Sequence, residues 1–212
     1  MNDTCVIITG LLRNEFISPL IEMYKDVPNK LISTWKDQPH TDTLRDNGFI
    51  IKLNDYPSYR NCTNYQTVNI REGCILAKNL GFKYVVRMRT DLICNDMIKF
   101  IGCINSLYRE RITVLGFINL TSFYIIDFFI AGNIDEMILI FNKEQKEDDK
   151  RFVEQYWMEE YLGKNDLTHF DLKQKLHTCL DVLHSNNIDM EIISKNWGKI
   201  ISKYCKKDFI LN

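Results

Sequence analysis

Three charged side chains stand at alternate positions of one otherwise apolar stretch. Arg87, Arg89 and Asp91 lie within residues 83–92, which read Lys-Tyr-Val-Val-Arg-Met-Arg-Thr-Asp-Leu. The β-branched and aromatic start predicts a buried strand, and alternation places the three charges on the same face as Val85. Burying a guanidinium without a partner costs free energy, so two in succession are hard to explain as packing. We therefore expect this strand to open into a polar cleft at Asp91.

Short β-like runs alternate with helix-like runs through the first half of the chain. The sequence predicts strands at 4–9, 30–35, 49–53 and 83–92, and helices at 15–24, 41–47 and 64–80. This alternation predicts an α/β fold with a mostly parallel sheet and helices on both faces. In such sheets, ligands bind beyond the carboxyl ends of the strands.

Four predicted strand ends are therefore the places to expect a polar ligand. They carry hydroxyls, a glycine and acids, in the pieces Thr9-Gly10-Leu11, Ser33-Thr34-Trp35, Asn54-Asp55 and Thr90-Asp91. The helix predicted after the third strand packs a small-residue stripe on the sheet, formed by Gln66, Ile70, Gly73, Cys74 and Ala77.

The second half of the chain is less regular. It contains predicted strands at 111–117, 122–129 and 189–193, predicted helices at 134–141, 152–162, 171–184 and 196–204, and a charged, solvated turn at 143–150. Without a repeat or a Pro/Gly/Ser-rich linker, we expect one domain.

Composition excludes several classes of protein. A net charge of −1 over 212 residues gives no overall basic field to attract nucleic acid. The seven cysteines form no Cys-x-x-Cys pair, which favours reduced thiols and a cytoplasmic location over a disulfide framework or a zinc site. The apolar segment 117–141 is interrupted by Asn119, Asp127, Asp135 and Glu136, so we expect no membrane span.

Several of these pieces, taken in order, carry a resemblance to a known family. They are Ile-Ile-Thr-Gly (7–10), Leu-Ile-Ser-Thr-Trp-Lys (31–36), Asn61-x-x-Asn64-x-Gln66, Gly73 with Ala77, the stretch 83–91, Ile126-Asp127-Phe-Phe-x-x-Gly132 and Glu154-Gln155-Tyr156. In this order the chain resembles the WavE-type lipopolysaccharide-synthesis family of glycosyltransferases over roughly residues 4 to 162. It is also similar to the amino-terminal glycosyltransferase domain of a large chlorovirus protein, which would imply a host cytoplasmic location.

The resemblance implies a GT-A-like (Rossmann-type) fold over residues 1–212, with a nucleotide-binding half at about 1–95 and an acceptor-side half at about 96–212. It implies a UDP-sugar donor, a glycan or glycoprotein acceptor, and Mn²⁺ or Mg²⁺. GT-A enzymes usually hold the metal with Asp-x-Asp, but here the matching place reads Arg89-Thr90-Asp91, so only Asp91 carries over as a ligand. A single carboxylate can suffice where substrate phosphates complete the coordination. The alternative is that Asp91 caps a helix beginning near Asn95 or Asp96.

The residues expected to contact the donor lie at the strand ends and the helix start. They are Thr9, Gly10, Leu11, Arg13, Ser33, Thr34, Trp35, Asn64, Gln66, Arg89 and Thr90. Trp35 either stacks on the base or packs under the sheet. Arg87 and Arg89 either bind the diphosphate or neutralise acidic neighbours; we favour phosphate binding for Arg89 and a structural role for Arg87.

Two acids are candidates for the base that deprotonates the acceptor. Asp127 interrupts an apolar run, where desolvation would raise its pKa, although it could instead form a salt bridge with Arg87 or Arg89. Glu154 is the alternative base, or else a residue of a solvated helix face. His169, His177 and His184 are weaker candidates for additional metal ligands. The competing functions are a catalytically silent sugar-binding module and a nucleotidyltransferase-like enzyme.

Overall fold

The computed structural model describes residues 3–106, 111–115, 117–119, 123–125, 128–165, 167–178, 185–188 and 190–192. The strands are β1 (Thr4–Thr9), β2 (Lys30–Trp35), β3 (Ile50–Asn54), β4 (Tyr84–Arg89), β5 (Leu92–Cys94), β6 (Ile112–Val114), β7 (Phe117–Asn119), β8 (Phe123–Ile125), β9 (Phe129–Asn133), β10 (Leu176–Thr178) and β11 (Met190–Ile192). The helices are α1 (Asn14–Tyr24), α2 (Thr41–Asp46), α3 (Cys62–Asn79), α4 (Met97–Ser106), α5 (Ile134–Ile140), α6 (Val153–Leu162) and α7 (His169–Lys175).

Seven strands form one mixed, mostly parallel sheet in the order β10-β6-β9-β4-β1-β2-β3. Strands β3, β2, β1 and β4 run parallel to one another, and β10 is parallel to β6. Strand β9 runs antiparallel between β4 and β6. Short antiparallel pairs join β5 to β11 and β7 to β8. The α/β fold predicted from the alternation of elements is therefore confirmed.

Alternation along β1 distributes its side chains between two cores. Val6 and Ile8 pack in one core with α1, α2 and α4, whereas Cys5 and Ile7 pack in the other with α3, α5 and α6. Because both faces of the strand are buried, its sequence is apolar throughout. Helices cover both faces of the sheet, as predicted.

Helix α3 packs closely on the sheet through its small residues, as predicted. Ile70, Cys74 and Ala77 are completely buried. A Cβ atom added to Gly73 would clash with the side chains of Ile7 and Ser33. This close approach brings the first turns of α3 beside the carboxyl ends of β1 and β2.

The stretch 83–92 is not one strand, and this prediction is corrected. Strand β4 ends at Arg89, and the Thr90 amide then donates to the Thr9 carbonyl at 3.1 Å. A turn at Thr90 and Asp91 leads into β5, which leaves the main sheet and pairs with β11.

The second half differs from the prediction at several further places. Helix α4 was not among the helices predicted for this half, and β9 begins at Phe129, where the strand predicted at 122–129 was expected to end. The helix expected at 171–184 ends at Lys175, and the next three residues form β10 beside β6, because burial of Leu176 and strand pairing override helical periodicity. In the charged turn at 143–150, Gln145 is buried and bonds to Asn61, Asn64 and Arg151. The helix expected at 196–204 lies outside the described residues.

None of the helices in the described ranges is long and apolar enough to cross a membrane. The apolar segment from 117 onward contains strands β7, β8 and β9 and helix α5.

Arg151 holds the 143–151 segment against α6. Its guanidinium binds Asp149, Glu159 at 3.1 Å and Glu160 at 3.0 Å. Its hydrogen bonds to Asp149 lower the pKa of that carboxyl from the usual 3.8 to about 2. As the pH falls, Asp149 therefore becomes protonated in the unfolded chain at a higher pH than in the folded chain.

We predict that Asp149→Asn removes a contribution to stability that depends on acid pH. The difference in unfolding free energy between wild type and variant should be fully present above about pH 4 and disappear as the pH falls toward 2. Urea unfolding at a series of pH values measures it. Asp148→Asn, an exposed neighbour of the same charge, is the matched control. A difference that does not change with pH would contradict the prediction.

Candidate functional site

A cleft of about 610 Å³ lies at the carboxyl ends of β1, β2 and β4, bordered by the first turns of α3. Its volume is within the range for cofactor-sized ligands. The structure brings together nine predicted contacts or ligands here: Thr9, Gly10, Leu11, Arg13, Trp35, Gln66, Arg89, Thr90 and Asp91. The lining also includes Phe16, Tyr56, Cys62, Tyr65, Asn69 and Arg87, which were not among the predicted donor contacts.

Arg87 is buried at the cationic end of the cleft, with 1% of its surface exposed. Its Nε donates to Thr9 Oγ1 at 2.9 Å, and its Nη2 donates to Gln66 Oε1 at 2.9 Å. These bonds connect β4 to β1 and α3 and satisfy part of a charge that would otherwise be costly to bury. The acid expected as its partner, Asp127, lies outside the described residues, so pairing of Arg87 with an acid stays a prediction.

Arg89 and Asp91 form a planar, two-pronged ion pair. Arg89 Nε donates to Asp91 Oδ1 and Nη2 donates to Oδ2, each at 2.8 Å. The guanidinium carbon lies 5.5 Å from the centroid of the Phe128 ring. Asp91 does not cap α4, because the Lys99 amide donates its hydrogen bond to Asp96 Oδ1 at 2.9 Å. That alternative is therefore excluded.

The described residues do not form a ready metal site. They contain no group of three or more His, Cys, Asp or Glu side chains that could hold an ion. Both oxygens of Asp91 accept from Arg89, so a cation would have to displace a guanidinium in an ideal bidentate geometry. Binding of Mn²⁺ or Mg²⁺ at Asp91 therefore stays a prediction.

The loop between β1 and α1 forms one wall of the cleft. It is held in place by Thr34 in β2 and by Gln38, which follows β2. Thr34 Oγ1 donates to the Gly10 carbonyl at 2.8 Å, and the Leu12 amide donates to Gln38 Oε1 at 2.9 Å. Arg13 follows with 57% of its side chain exposed, 4.0 Å from Glu15. The loop therefore presents a third guanidinium at the mouth of the cleft.

Three aromatic rings form the opposite end of the cleft. Trp35 stacks on Tyr56 with centroids 4.7 Å apart, and Tyr65 lies edge-on to both rings. Trp35 lines the cleft but is only 2% exposed, and Tyr56 stacks on its ring. Burial and the hydrogen bond to Asp37 raise the pKa of Tyr56, whose hydroxyl therefore stays a donor. Sequence reasoning missed both tyrosines because neither ends a strand, although the tyrosine-rich loop before α3 was a signal.

Three predicted donor contacts are fully buried and bond to the protein itself. Ser33 Oγ accepts from the Asn54 side chain, and Thr34 binds Gly10 as described. Asn64 Nδ2 donates to the carbonyls of Tyr59 and Gln145. They support the cleft from behind its wall.

The candidate base residues are not brought to the cleft by the described part of the chain. Asp127 lies outside the described residues. Glu154 begins α6 and is not among the described residues that line the cleft. Of the three histidines, His177 lies in β10, His169 begins α7, and His184 lies outside the described residues.

No family model and no curated protein matches the sequence. Among solved structures, a nucleotidyl transferase from Methanothermobacter thermautotroptrophicus superposes with a TM-score of 0.52 at 9% identity, covering 77% of this chain and 84% of that one. A protein assigned as a nucleotide-diphospho-sugar transferase from Desulfovibrio desulfuricans G20 gives 0.48 at 11% identity, with 75% of each chain covered. A cytidylyltransferase from Leptospira borgpetersenii gives 0.46 at 10% identity, covering 68% of this chain and just under two thirds (66%) of that one. The superposition on the Methanothermobacter protein shows that the two chains share their fold.

We predict that Gly10→Ala destabilises the protein by about 1–3 kcal/mol. Gly10 has φ = +140°, and an added Cβ would clash with the Thr90 hydroxyl. Chemical unfolding measures the effect. Gly102→Ala is the control, because this glycine lies in α4 with nothing within 4 Å of an added Cβ, and it should gain about 0.5–1 kcal/mol. An unchanged stability for Gly10→Ala would show that the close approach to Thr90 is easily relaxed.

We also predict that Mn²⁺ alone leaves the melting temperature unchanged, because Arg89 holds both oxygens of Asp91. If the metal enters only together with a diphosphate, then Mn²⁺ and UDP together should raise the melting temperature more than UDP alone. Differential scanning fluorimetry with the four combinations tests this. Stabilisation by Mn²⁺ alone that is lost in Asp91→Asn would instead show that the ion displaces Arg89 without help.

Proposed function

We propose that this protein is a glycosyltransferase that moves a sugar from a UDP-sugar to a hydroxyl of a glycan acceptor. One observation carries the proposal: the cleft at the strand ends has an aromatic end at Trp35, Tyr56 and Tyr65 and a cationic end at Arg87 and Arg89. A nucleotide sugar has a flat base at one end and a diphosphate farther along, so the two ends of this cleft match it in order.

In this proposal the base lies on the tyrosines and the diphosphate lies beside Arg89 and Arg13. Cleavage of the bond between sugar and phosphate leaves additional negative charge on the diphosphate. Arg89, oriented by its two hydrogen bonds to Asp91, stabilises that charge. Arg87 maintains the wall through Thr9 and Gln66.

Where Mn²⁺ or Mg²⁺ enters together with the diphosphate, Asp91 would be its protein ligand and would have to release Arg89, and the ion would supply positive charge beside the phosphates. The proposed base for the acceptor hydroxyl is Asp127, with Glu154 as the alternative. These assignments rest on the resemblance to WavE-type glycosyltransferases and on the chemistry of carboxylates.

A nucleotidyltransferase-like enzyme is the second candidate, favoured by the fold likeness to the Methanothermobacter protein. Such enzymes generally use a glycine-rich basic loop after the first strand. Here that loop is Gly10-Leu-Leu-Arg13, with one glycine and no lysine, which favours the glycosyltransferase.

We predict that the protein hydrolyses or transfers sugar from at least one UDP-sugar and that Arg89→Ala lowers this rate by about a hundredfold or more. A panel of nucleotide sugars, assayed for released UDP, tests the prediction. Arg45→Ala is the matched control, since Arg45 is an exposed arginine of α2 paired with Asp42, and its rate should be unchanged.

Other results would favour the competing functions. Pyrophosphate release from UTP and a sugar phosphate would identify a nucleotidyltransferase. Tight binding of a UDP-sugar without turnover, with or without Mn²⁺, would identify a silent binding module.

A further inference from the structure

Helix α3 presents four side chains to the cleft. Cys62, Tyr65, Gln66 and Asn69 follow the i, i+3, i+4, i+7 spacing of one helix face. Asn69 lies one turn after Tyr65 on this face of α3. It is only 2% exposed, yet it lines the cleft, so a ligand reaching it must be deeply inserted.

A buried network fixes the amide of Asn69 from behind. Asn54, at the end of β3, donates from Nδ2 to Ser33 Oγ at 2.9 Å and to Asn69 Oδ1 at 2.8 Å. Because the Asn69 carbonyl oxygen is turned toward Asn54, its Nδ2 is turned away from Asn54. Among the described residues this Nδ2 has no hydrogen-bond partner.

The network carries a cost of its own. Asn54 Oδ1 is buried without a partner in the described part of the chain, and such groups are rare in folded proteins. Asn54 thus uses its two N–H groups to hold Ser33 and Asn69 while its own oxygen stays unsatisfied. We infer that this unsatisfied oxygen is tolerated because the orientation of the Asn69 amide is needed to bind a ligand in the cleft.

We propose that Asn69 reads the polar edge of a pyrimidine bound against Tyr65, donating from Nδ2 to the O4 carbonyl of uracil. This inference rests on the proposed nucleotide binding and adds its specificity. Uracil carries a carbonyl at position 4 where cytosine carries an amino group. A donor held in place therefore favours uracil, because a cytosine amino group would leave it facing another donor. Asn54 acts through Asn69 and is a positioning residue.

The first test compares affinities for UDP and CDP by isothermal titration calorimetry. Wild type should prefer UDP by about tenfold, the size of one hydrogen bond made or lost. Asn69→Ala should lose most of this preference through weaker UDP binding, while its affinity for inorganic pyrophosphate, which has no base, should not change. Asn79→Ala, at the exposed end of the same helix, is the matched control and should keep the preference.

The second test reverses the group that faces the ligand. Asn69→Asp replaces the donor with an acceptor and should shift the preference toward CDP. Asn54→Asp should shift the preference in the same direction although residue 69 is still asparagine. A carboxylate at position 54 accepts from the Asn69 amino group, so the Asn69 amide rotates and its Oδ1 faces the ligand. A merely structural role would weaken UDP and CDP equally. Circular dichroism and melting temperature establish folding, and Asn69→Asp decides alone if Asn54→Asp does not fold.

The outcomes separate this inference from the function on which it rests. Equal affinity of wild type for UDP and CDP, or an unchanged preference in Asn69→Ala, would overturn the role of Asn69 and leave nucleotide binding intact. Failure of wild type to bind any nucleotide would overturn both.

Discussion

The cleft depends on a buried positive charge that must be satisfied. Arg87 lies in β4, two residues before the strand ends at Arg89, and is almost completely buried. Its bonds to Thr9 and Gln66 connect the central pair of strands to α3. Since an unsatisfied guanidinium would be costly, the end of β1 and the first turns of α3 carry the polar side chains of Thr9 and Gln66 where a core is ordinarily apolar. The same requirement gives the cleft its polar floor.

Close approach at the strand ends completes that framework. Gly73 lets α3 lie against β1 and β2, and Gly10 lets the loop after β1 pass beside Thr90. Thr34 and Gln38 then hold that loop through Gly10 and Leu12. The walls are thus held by close packing at two glycines and by side-chain bonds to the backbone of the loop. The side chains that line the cleft divide into an aromatic end and a cationic end.

Sequence patterns predicted most of the first half correctly because each element there has a strong local signal. The apolar run 4–9 and the run 30–35 match β1 and β2, and the end of α2 agrees with Gly48 at φ = +80°. They failed where a tertiary contact decides the conformation. Leu176 forms a strand because β6 offers a partner, and β4 stops at Arg89 because Thr90 turns toward Thr9. The rule that ligands bind beyond the carboxyl ends of parallel strands predicted the position of the cleft. It did not predict Tyr56, which lies in a loop, or Tyr65 and Asn69, which lie on one face of α3.

The sequence by itself determined the α/β alternation, the strands that end in polar residues, and the presence of two arginines and one acid in a row, because these follow from periodicity and residue type. Only the tertiary structure decided how those charges are used. It joins Arg89 to Asp91 across the turn that follows β4. It joins Arg87 to Thr9 and Gln66, which lie on neighbouring elements whose distance and register no local pattern encodes. It also places Trp35 behind Tyr56, since a stack of rings from separate segments exists only after the chain has folded.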